Sequence, residues 1–295
     1  MSSSKFNHVF LISRARPDGI GETLRNVSTY LSQLNIAITV ETETATRFDC
    51  THLPNCNADN LPASIDLILV VGGDGSLITA AHTACEHNIP VVGINRGKLG
   101  FLTDIHPEKL DQLGVILKGK YIQEKRTLIQ AQIFLNDELQ HSAVALNDIV
   151  LLPGDIAHMI EFDTYVDSQL IYHQRADGMI IATSTGSTAY ALSGGGPIMQ
   201  PGIDTIVLVP MFPHTLSSRP IVLSNNSKIK LIINHKNETS PFMSNDGKQR
   251  IKAPLGSEIH ITKHHQRLNL IHPSDYNYFS TLREKLGWEQ QATRR

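Results

Sequence analysis

The residues with the clearest chemical potential form a glycine-rich turn, Gly72-Gly73-Asp74-Gly75, which follows the apolar run Leu67–Val71. Three glycines in four residues allow positive φ angles and let a ligand approach the bare main chain. Amide groups in such a turn, and at the start of the helix expected after it, favour an anion such as phosphate. A carboxylate would repel that phosphate. Asp74 therefore makes sense if it contacts a sugar hydroxyl, accepts its proton, or binds the Mg²⁺ of a nucleotide.

The plainer interpretation of this turn is that Asp74 only caps the helix. Two familiar nucleotide loops do not match the sequence. The pattern G-x-G-x-x-G would require a third glycine where Ile78 stands, and Gly97-Lys98 is followed by Leu99 rather than by Ser or Thr, so a P-loop is absent. The turn is a candidate phosphate-binding turn of another kind.

A polar pair, Asn147-Asp148, interrupts the apolar segment Ala143–Leu152. Polar side chains in a core strand cost free energy unless they find partners, and a bound ribose would supply such partners. The alternative is that the pair marks a strand edge or a bulge. The pattern leaves both possibilities open.

Three further segments are rich in polar or charged groups. Thr183–Pro197 combines small hydroxyl side chains with glycines, which predicts a loop shaped to a polar ligand; the alternative is a flexible linker. Asn95–Gly100 carries two cations and two glycines, so Arg96 is a candidate phosphate contact, against the alternative of a solvated loop. Arg175 and Asp177 precede an apolar run, and their plain interpretation is an ion pair beside a turn.

Alternating strand and helix patterns must position the first of these groups. The sequence predicts four strands, a helix with Leu24, Val27, Leu31 and Leu34 on one face, a helix over Pro107–Lys118, a turn at Arg16–Gly19 and an exposed connection over Thr42–Asn60. The predicted strands are His8–Ser13, Ile36–Val40, Leu67–Val71 and Pro90–Asn95. This order predicts an open, mostly parallel α/β sheet with its ligand site at the carboxyl ends of the strands. We therefore expect Gly72–Gly75 and Asn95–Gly100 to lie near each other.

From about Tyr121 to Ile271 the pattern changes to short alternating runs typical of an all-β, sandwich-like domain. Asn136-Asp137, Asp167-Ser168 and Asn245-Asp246-Gly247 are the predicted turns between its strands. A helix over Tyr278–Leu286 then follows, and we expect it to pack back on the first domain. The predicted divisions are residues 1–122 for the α/β domain, 123–271 for the β domain and 272–295 for the returning segment.

Composition excludes some classes of function. With 295 residues, 41% apolar and 18% charged residues and a formal net charge of −2, the chain gives no indication of a nucleic-acid or membrane partner. No stretch approaches the ~18 consecutive apolar residues of a membrane span, and the N-terminus lacks a signal-peptide core. Cys50, Cys56 and Cys85 lack C-x-x-C spacing, and the histidines lack H-E-x-x-H spacing. We expect a cytoplasmic protein with reduced thiols and no metal bound directly by its side chains.

Taken together, the polar motifs closely resemble those of the NAD kinases, above all the bacterial cytoplasmic enzymes, over nearly the whole chain. In chain order they are Gly72-Gly73-Asp74-Gly75, Asn147-Asp148, Asp177-Gly178 and Thr185-Gly186-Ser187-Thr188-Ala189-Tyr190, with the flanking segments Ile94–Asp104, Leu208–Leu216 and Leu268–Pro273. The resemblance implies that ATP phosphorylates the 2′-hydroxyl of the adenosine ribose of NAD, giving NADP. It also implies Mg²⁺ that arrives with ATP, and a homotetramer or homodimer with sites built partly across subunits.

The resemblance also assigns roles to particular residues. Asp74 matches the general base, and Asn147-Asp148 match an Asn-acid pair at the adenosine end of NAD, where many members have Glu instead of Asp. Arg175 and Asp177 match positions near the nicotinamide end, and Arg at the first goes with preference for NAD over NADH. The remaining NAD-binding positions are Gly75, His158, Thr188, Ala189, Tyr190, Ser193 and Lys248, the last at a site where relatives often have Gln. The phosphate-binding candidates are Gly72, Gly73, Gly75 and Arg96.

Two other functions share parts of this pattern. A lipid kinase can carry a similar glycine-rich turn, and it would need a membrane-binding surface. A non-catalytic NAD-binding regulator could use the same scaffold. Asp74 separates the enzyme from the regulator, because a protein that only binds NAD has little use for a carboxylate in that turn.

Overall fold

The computed structural model describes residues 5–14, 19–97, 100–155 and 158–288. Most of the predicted turn at Arg16–Gly19, and Lys98-Leu99 of the predicted cationic loop, lie outside the described residues. The chain divides into two compact units, residues 1–125 with 268–295, and residues 126–267. Among the described residues, no helix combines the length and apolar character that crossing a membrane would require.

Regular elements account for most of the described chain. The helices are α1 (Ile20–Gln33), α2 (Thr42–Arg47), α3 (Asp74–Glu86), α4 (Leu110–Leu117), α5 (Tyr190–Ser193) and α6 (Tyr278–Leu286), with one 3₁₀ turn over Gly186–Thr188. The strands are β1 (His8–Ile12), β2 (Ala37–Glu41), β3 (Asn55–Cys56), β4 (Leu67–Val71), β5 (Val91–Ile94), β6 (Ile122–Leu135), β7 (Glu138–Ala145), β8 (Asp148–Leu152), β9 (Ile160–Val166), β10 (Gln169–Ala176), β11 (Gly178–Thr183), β12 (Thr205–Met211), β13 (Ile221–Ser224), β14 (Ile229–Ile233), β15 (Phe242–Asn245), β16 (Gln249–Lys252) and β17 (Glu258–His272).

The first unit is built on a parallel sheet with the order β5-β4-β1-β2-β3, and the end of β17 lies parallel beside β5. All five residues of β4 are buried, as an apolar run predicts for a strand in the middle of such a sheet. Leu24, Val27 and Leu31 of α1 pack in the same core as Leu67 and Leu69. The prediction of an open, mostly parallel α/β sheet is confirmed.

The segment predicted as an exposed connection, Thr42–Asn60, contains structure that its polar composition conceals. It forms α2 and β3, and Thr44 and Phe48 within it are buried. The Thr44 hydroxyl is satisfied internally, because it lies 2.7 Å from a carboxylate oxygen of Glu41 and 3.2 Å from the carbonyl oxygen of Ser13. A polar side chain with such partners can be buried at little cost, which is why the prediction was wrong.

The C-terminal helix α6 begins and ends at clear capping residues. The side chain of Asn277 accepts a hydrogen bond from the Ser280 amide at 3.1 Å, and Gly287 ends the helix with φ of 67°. The segment belongs to the first unit. There Lys285 lies over the ring of Phe101, with its ammonium nitrogen 5.8 Å from the ring centroid. The expected return of this helix to the α/β domain is confirmed.

The second unit consists of two antiparallel β layers. In the first layer β9 pairs with β10 and β14, β14 pairs with β17, and β6 pairs with β7. The second layer has the strand order β13-β12-β11-β8-β15-β16. Alternate residues of both layers form one apolar core, as in Phe162 and Ile160 on β9 or Ile149 and Leu151 on β8. The predicted all-β, sandwich-like domain is confirmed.

The predicted turns between these strands are also confirmed. Asn136 and Asp137, between β6 and β7, have φ angles of 51° and 64°. Asp167 and Ser168, between β9 and β10, have φ angles of 48° and 69°. Consecutive residues with positive φ are the geometry that joins two antiparallel strands through a two-residue turn.

Candidate active site

The glycine-rich turn joins β4 to α3, as predicted. Gly72 has φ of 154°, and α3 begins at Asp74. A Cβ atom built on Gly73 or Gly75 would meet no described atom within 4 Å, so the space beside both residues is open. A ligand can therefore reach the main chain at these two glycines without displacing a side chain.

The loop that follows β5 lies directly beside this turn. The Gly72 amide donates to the carbonyl oxygen of Ile94 at 2.9 Å, and the Arg96 amide donates to the carbonyl oxygen of Gly72 at 3.3 Å. The expected proximity of the two loops is confirmed. The guanidinium of Arg96 packs against Gly19, whose left-handed φ of 70° favours glycine.

The Asp74 carboxylate is held by the main chain of the loop after β5. Its Oδ2 accepts from the Phe101 amide at 2.8 Å, and its Oδ1 accepts from the amides of Leu102 at 3.0 Å and Thr103 at 3.2 Å. The Thr103 hydroxyl donates to Oδ1 as well, at 3.2 Å. The carboxylate thus faces another loop and does not cap its own helix, whose N-cap is Gly73. Oδ2, with one hydrogen bond, has more acceptor capacity left than Oδ1 with three.

Gly100 and Thr103 are parts of this arrangement that the sequence did not single out. A Cβ at Gly100 would clash with the Asp74 carboxylate, so only glycine allows the loop to approach it. Thr103 is fully buried and supplies both an amide and a hydroxyl donor. A signal was present, since both residues lie in the segment after β5 that carries the family resemblance.

The polar pair Asn147-Asp148 lies where β7 ends and β8 begins. The carboxylate of Asp246 accepts from the amides of Leu146 at 2.9 Å, Asn147 at 2.7 Å and Asp148 at 3.3 Å. In return the Asp246 amide donates to the carbonyl oxygen of Asp148 at 3.0 Å. Asp246 therefore fixes the conformation of the pair, and charge-assisted hydrogen bonds of this kind are the stronger ones.

Sequence reasoning assigned Asp246 only to a turn between strands, so its part in this site was missed. The available signal was an acidic residue inside Asn245-Asp246-Gly247, next to the predicted contact Lys248. The partners of Asp246 lie about a hundred positions earlier in the chain, at |i−j| of 98 to 100. Periodicity within a local window does not reveal such a pairing.

Asp148 combines burial with a second negative charge nearby. The residue is 5% exposed. Burial, which disfavours the charged form, raises the pKa of Asp148 to about 7, and the charge of Asp246 adds to that effect. The charge of Asp148 therefore changes near neutral pH.

The segment rich in hydroxyl groups packs directly on the polar pair. The Thr183 amide donates to the carbonyl oxygen of Asn147 at 2.9 Å, and the Thr183 hydroxyl donates to that of Leu146 at 2.6 Å. A Cβ at Gly186 would collide with the main chain of Asn147, so this close approach requires glycine. The structure brings the two motifs together.

Part of this segment is core rather than ligand surface, which differs from expectation. Ala191 of this segment, together with Met199 just beyond its end, packs on the outer face of the second β layer against Ile180 and Val207. The buried Ser187 hydroxyl lies 2.7 Å from the carbonyl oxygen of Ser184 and 3.0 Å from the amide of Met199. The Ser187 hydroxyl thus bonds to main-chain groups that would otherwise be buried without a hydrogen-bond partner.

Several of the predicted NAD-binding residues of the second unit line one cavity. It has a volume of about 260 Å³, and we call it the β8 cavity. Asn147, Asp148, Ala189, Tyr190 and Asp246 line it. Of the other predicted positions, Thr188, Ser193 and Lys248 are described residues that do not line this cavity.

A second cavity of the same unit, of about 550 Å³, is lined by three more of the predicted NAD-binding residues. His158, Arg175 and Asp177 line it together with Glu238. His158 Nδ1 lies 3.3 Å from a carboxylate oxygen of Glu238, and both side chains are mostly exposed. Arg175 and Asp177, predicted at the nicotinamide end, therefore share one surface of the second unit with His158, a further predicted NAD contact.

Side-chain ligands for a metal ion do not converge in the part of the chain that the structure describes. No group of three or more His, Cys, Asp or Glu residues there could hold an ion. Cys50, Cys56 and Cys85, all within the described ranges, are free cysteines.

Comparisons with known proteins bear on nearly the whole chain. A family model described as the ATP-NAD kinase N-terminal domain matches residues 9–121, and one described as the ATP-NAD kinase C-terminal domain matches residues 146–273. The chain is 49% identical over 294 residues to the NAD kinase of Coxiella burnetii (strain RSA 493 / Nine Mile phase I), covering 100% of this chain and 98% of that protein. It is 45% identical over 284 residues to the NAD kinase of Teredinibacter turnerae, covering 96% of this chain and 97% of that protein.

Solved structures show the same fold at lower identity. A crystal structure of yeast NADH kinase complexed with NADH matches with a TM-score of 0.84 and 23% identity, covering 96% of this chain and 88% of that chain. An NAD kinase from Archaeoglobus fulgidus in complex with ATP matches with a TM-score of 0.69 and 23% identity, covering 94% of this chain and 99% of that chain. Because the two family models agree with relatives of nearly half identical sequence over the full length, the chain belongs to the NAD kinase family.

Proposed function

We propose that this NAD kinase transfers the γ-phosphoryl group of ATP to the 2′-hydroxyl of the adenosine ribose of NAD, with Asp74 as the general base. The products are NADP and ADP. The observation that carries the proposal is the fixed Asp74 carboxylate beside a glycine turn whose main chain is open to a ligand. No feature of the described residues favours either alternative function, the lipid kinase or the non-catalytic regulator.

In the proposed reaction Asp74 accepts the proton of the 2′-hydroxyl while the ribose oxygen bonds to the γ-phosphorus. The bond from that phosphorus to the bridging oxygen breaks, and ADP leaves with its electron pair. Oδ2 is the atom with spare acceptor capacity, since Oδ1 already accepts three hydrogen bonds. Proton removal by a placed carboxylate contributes roughly 10²–10⁴ in rate.

The donor phosphates are assigned to the first unit. Gly73 and Gly75 would bind them through main-chain amides at the start of α3, where the helix dipole favours negative charge. Gly72, whose amide already donates to the carbonyl oxygen of Ile94, would contribute the positive φ angle that shapes the turn. Arg96, which leaves β5 beside that turn, would add a cation. Mg²⁺ enters as part of the substrate Mg·ATP, held by the phosphate oxygens and water, and neutralises developing charge.

The acceptor NAD is assigned to the second unit, predicted as residues 123–271. Its adenosine would occupy the β8 cavity beside Asn147 and Asp148, with Ala189 and Tyr190 as neighbours. Its nicotinamide end would lie at the surface of His158, Arg175 and Asp177. Gly75, Thr188, Ser193 and Lys248 complete the proposed contacts.

The proposal extends to a homotetramer or homodimer with sites shared between subunits. Two large apolar side chains of one short segment support an association surface, since Phe212 is 77% exposed and Leu216 is 95% exposed. Cytoplasmic location remains a prediction from the sequence.

The test is product formation with Mg·ATP and either NAD or NADH, followed by chromatography and ³¹P NMR of the 2′-phosphate. We expect NADP from NAD and little NADPH from NADH, because Arg175 is associated with preference for NAD. Equal use of both dinucleotides would remove the role given to Arg175 and keep the kinase. Absence of both products would contradict the proposed reaction.

A further inference from the structure

Asp148 is a buried carboxyl group for which the described residues supply no side-chain hydrogen-bond partner. The residue is 5% exposed and lines the β8 cavity. Its main-chain amide and carbonyl are both hydrogen-bonded to Asp246, so the two residues lie side by side although they come from different parts of the chain. A buried carboxylate without partners is costly enough that such a group tends to take up a proton.

The Asp246 carboxylate, in contrast to that of Asp148, has main-chain hydrogen-bond partners of its own among the described residues. It accepts three successive main-chain N–H groups, and hydrogen bonds of this kind stabilise the charged form. The ionisable groups among the described lining residues are Asp148, Asp246 and Tyr190, so none of them supplies a cation to offset a second carboxylate. On β11, the strand paired with this end of β8, Asp148 lies opposite Ala182.

From this arrangement we propose that Asp148 meets the adenosine of NAD as a protonated carboxyl group that donates a hydrogen bond, not as a carboxylate that accepts one. The inference rests on the proposed placement of adenosine in the β8 cavity. The adenine ring nitrogens and the ribose oxygens are acceptors that a carboxyl O–H can reach. Burial and the nearby charge of Asp246, which raise the pKa of Asp148 to about 7, support this protonation state.

The test is the affinity for NAD as a function of pH, measured by calorimetry on the full chain without ATP. The matched control is Asp137→Asn, the same change at an exposed turn between β6 and β7. For the wild type and this control we expect a constant Kd in acid and about a tenfold rise in Kd for each pH unit well above about 7. Asp148→Asn, whose amide donates at every pH, should keep a constant Kd within about threefold of the acid wild-type value.

A second measurement uses the wild type alone and does not depend on a variant that folds. Calorimetry in two buffers of different ionisation enthalpy gives the protons taken up on binding. At about pH 8 we expect NAD binding to take up close to one proton, and at about pH 5.5 none. The Asp148→Asn variant should show no uptake at either pH. A proton released, or no exchange by the wild type at either pH, would overturn the inference.

Measured values of Kd and proton uptake distinguish an ionised Asp148 from adenosine bound outside the β8 cavity. If Asp148 acts as a carboxylate, the wild-type Kd falls as pH rises and Asp148→Asn binds NAD at least about tenfold more weakly at every pH. If adenosine does not occupy the β8 cavity, Asp148→Asn matches the wild type at every pH and neither takes up a proton. The second result removes the placement of NAD, while formation of NADP would still establish the kinase.

Discussion

At the scale of single residues, two aspartates hold a loop in the same way. The Asp74 carboxylate accepts hydrogen bonds from the amides of Phe101, Leu102 and Thr103. The Asp246 carboxylate accepts hydrogen bonds from three consecutive amides, those of Leu146, Asn147 and Asp148, where β8 begins. In each case a side chain from one loop determines the path of another loop. The carboxylates therefore shape the site before any substrate arrives, which lowers the reorganisation that binding and reaction require.

Asp148 gives a prediction about stability that is independent of catalysis. Its pKa is raised by burial to about 7 in the folded chain, above the usual ~3.9 in an unfolded one, so the folded state binds more protons between these values. Stability from this group is fully present below about pH 4, is lost as pH rises from there to about 7, and changes no further above that value. Asp148→Asn should therefore raise the Tm by about 3 °C or more at about pH 8 and by clearly less at about pH 5.

Thermal unfolding of both proteins at the two pH values checks this, with Asp137→Asn as the control for removal of a surface charge. An equal change in Tm at both pH values would mean that Asp148 does not titrate near neutrality. A lower Tm for Asp148→Asn at about pH 8 would show that the ionised carboxylate stabilises the fold.

At the scale of elements, close contact between loops depends on glycine. The turn that begins at Gly186 approaches the main chain of Asn147 so closely that a methyl group has no space, and the atoms in its way belong to the backbone. The neighbouring segment is anchored from the other side by Thr183. The close contact between Gly186 and the main chain of Asn147 thus helps to fix the position of Tyr190 relative to Asn147.

Gly186→Ala should push these two loops apart. We expect the free energy of unfolding to fall by about 1–3 kcal/mol, the usual cost of overpacking, and the Kd for NAD to rise. Denaturant unfolding and NAD titration measure the two effects. Gly21→Ala is the matched control, because a Cβ there lies at an ordinary contact distance in α1 and should leave both quantities unchanged or slightly improve stability. If Gly186→Ala bound NAD with unchanged affinity, the turn at Gly186 would not contribute to NAD binding.

Local patterns predicted an element correctly where the sequence of that element alone determines its structure. The apolar run of β4, the two-residue turns of the hairpins and the amphipathic face of α1 are examples. The short helix α2 was missed because the buried Thr44 hydroxyl is satisfied by partners outside its own helix. Asp246 and Thr103 were missed for the same physical reason, since their roles arise from hydrogen bonds to distant parts of the chain.

At the scale of the whole molecule, the two units divide the proposed chemistry. The first unit holds the glycine turn and Asp74, and the second unit holds the predicted NAD-binding residues of both cavities. Each group of residues lies at strand ends, where a sheet fixes the direction in which a loop leaves. This division predicts that a change at Asp74 can alter the phosphoryl transfer while the NAD-binding cavities of the second unit stay intact.

The most direct measurement is therefore the turnover of Asp74→Asn with saturating Mg·ATP and NAD, together with its Kd for NAD. We predict that turnover falls by at least ~10², because the amide does not accept the proton of the ribose hydroxyl, while the Kd stays within about threefold of wild type. Asp137→Asn, with the same loss of charge at an exposed turn, should match the wild type in both quantities. Turnover of Asp74→Asn close to that of the wild type would contradict the role of Asp74 as the general base.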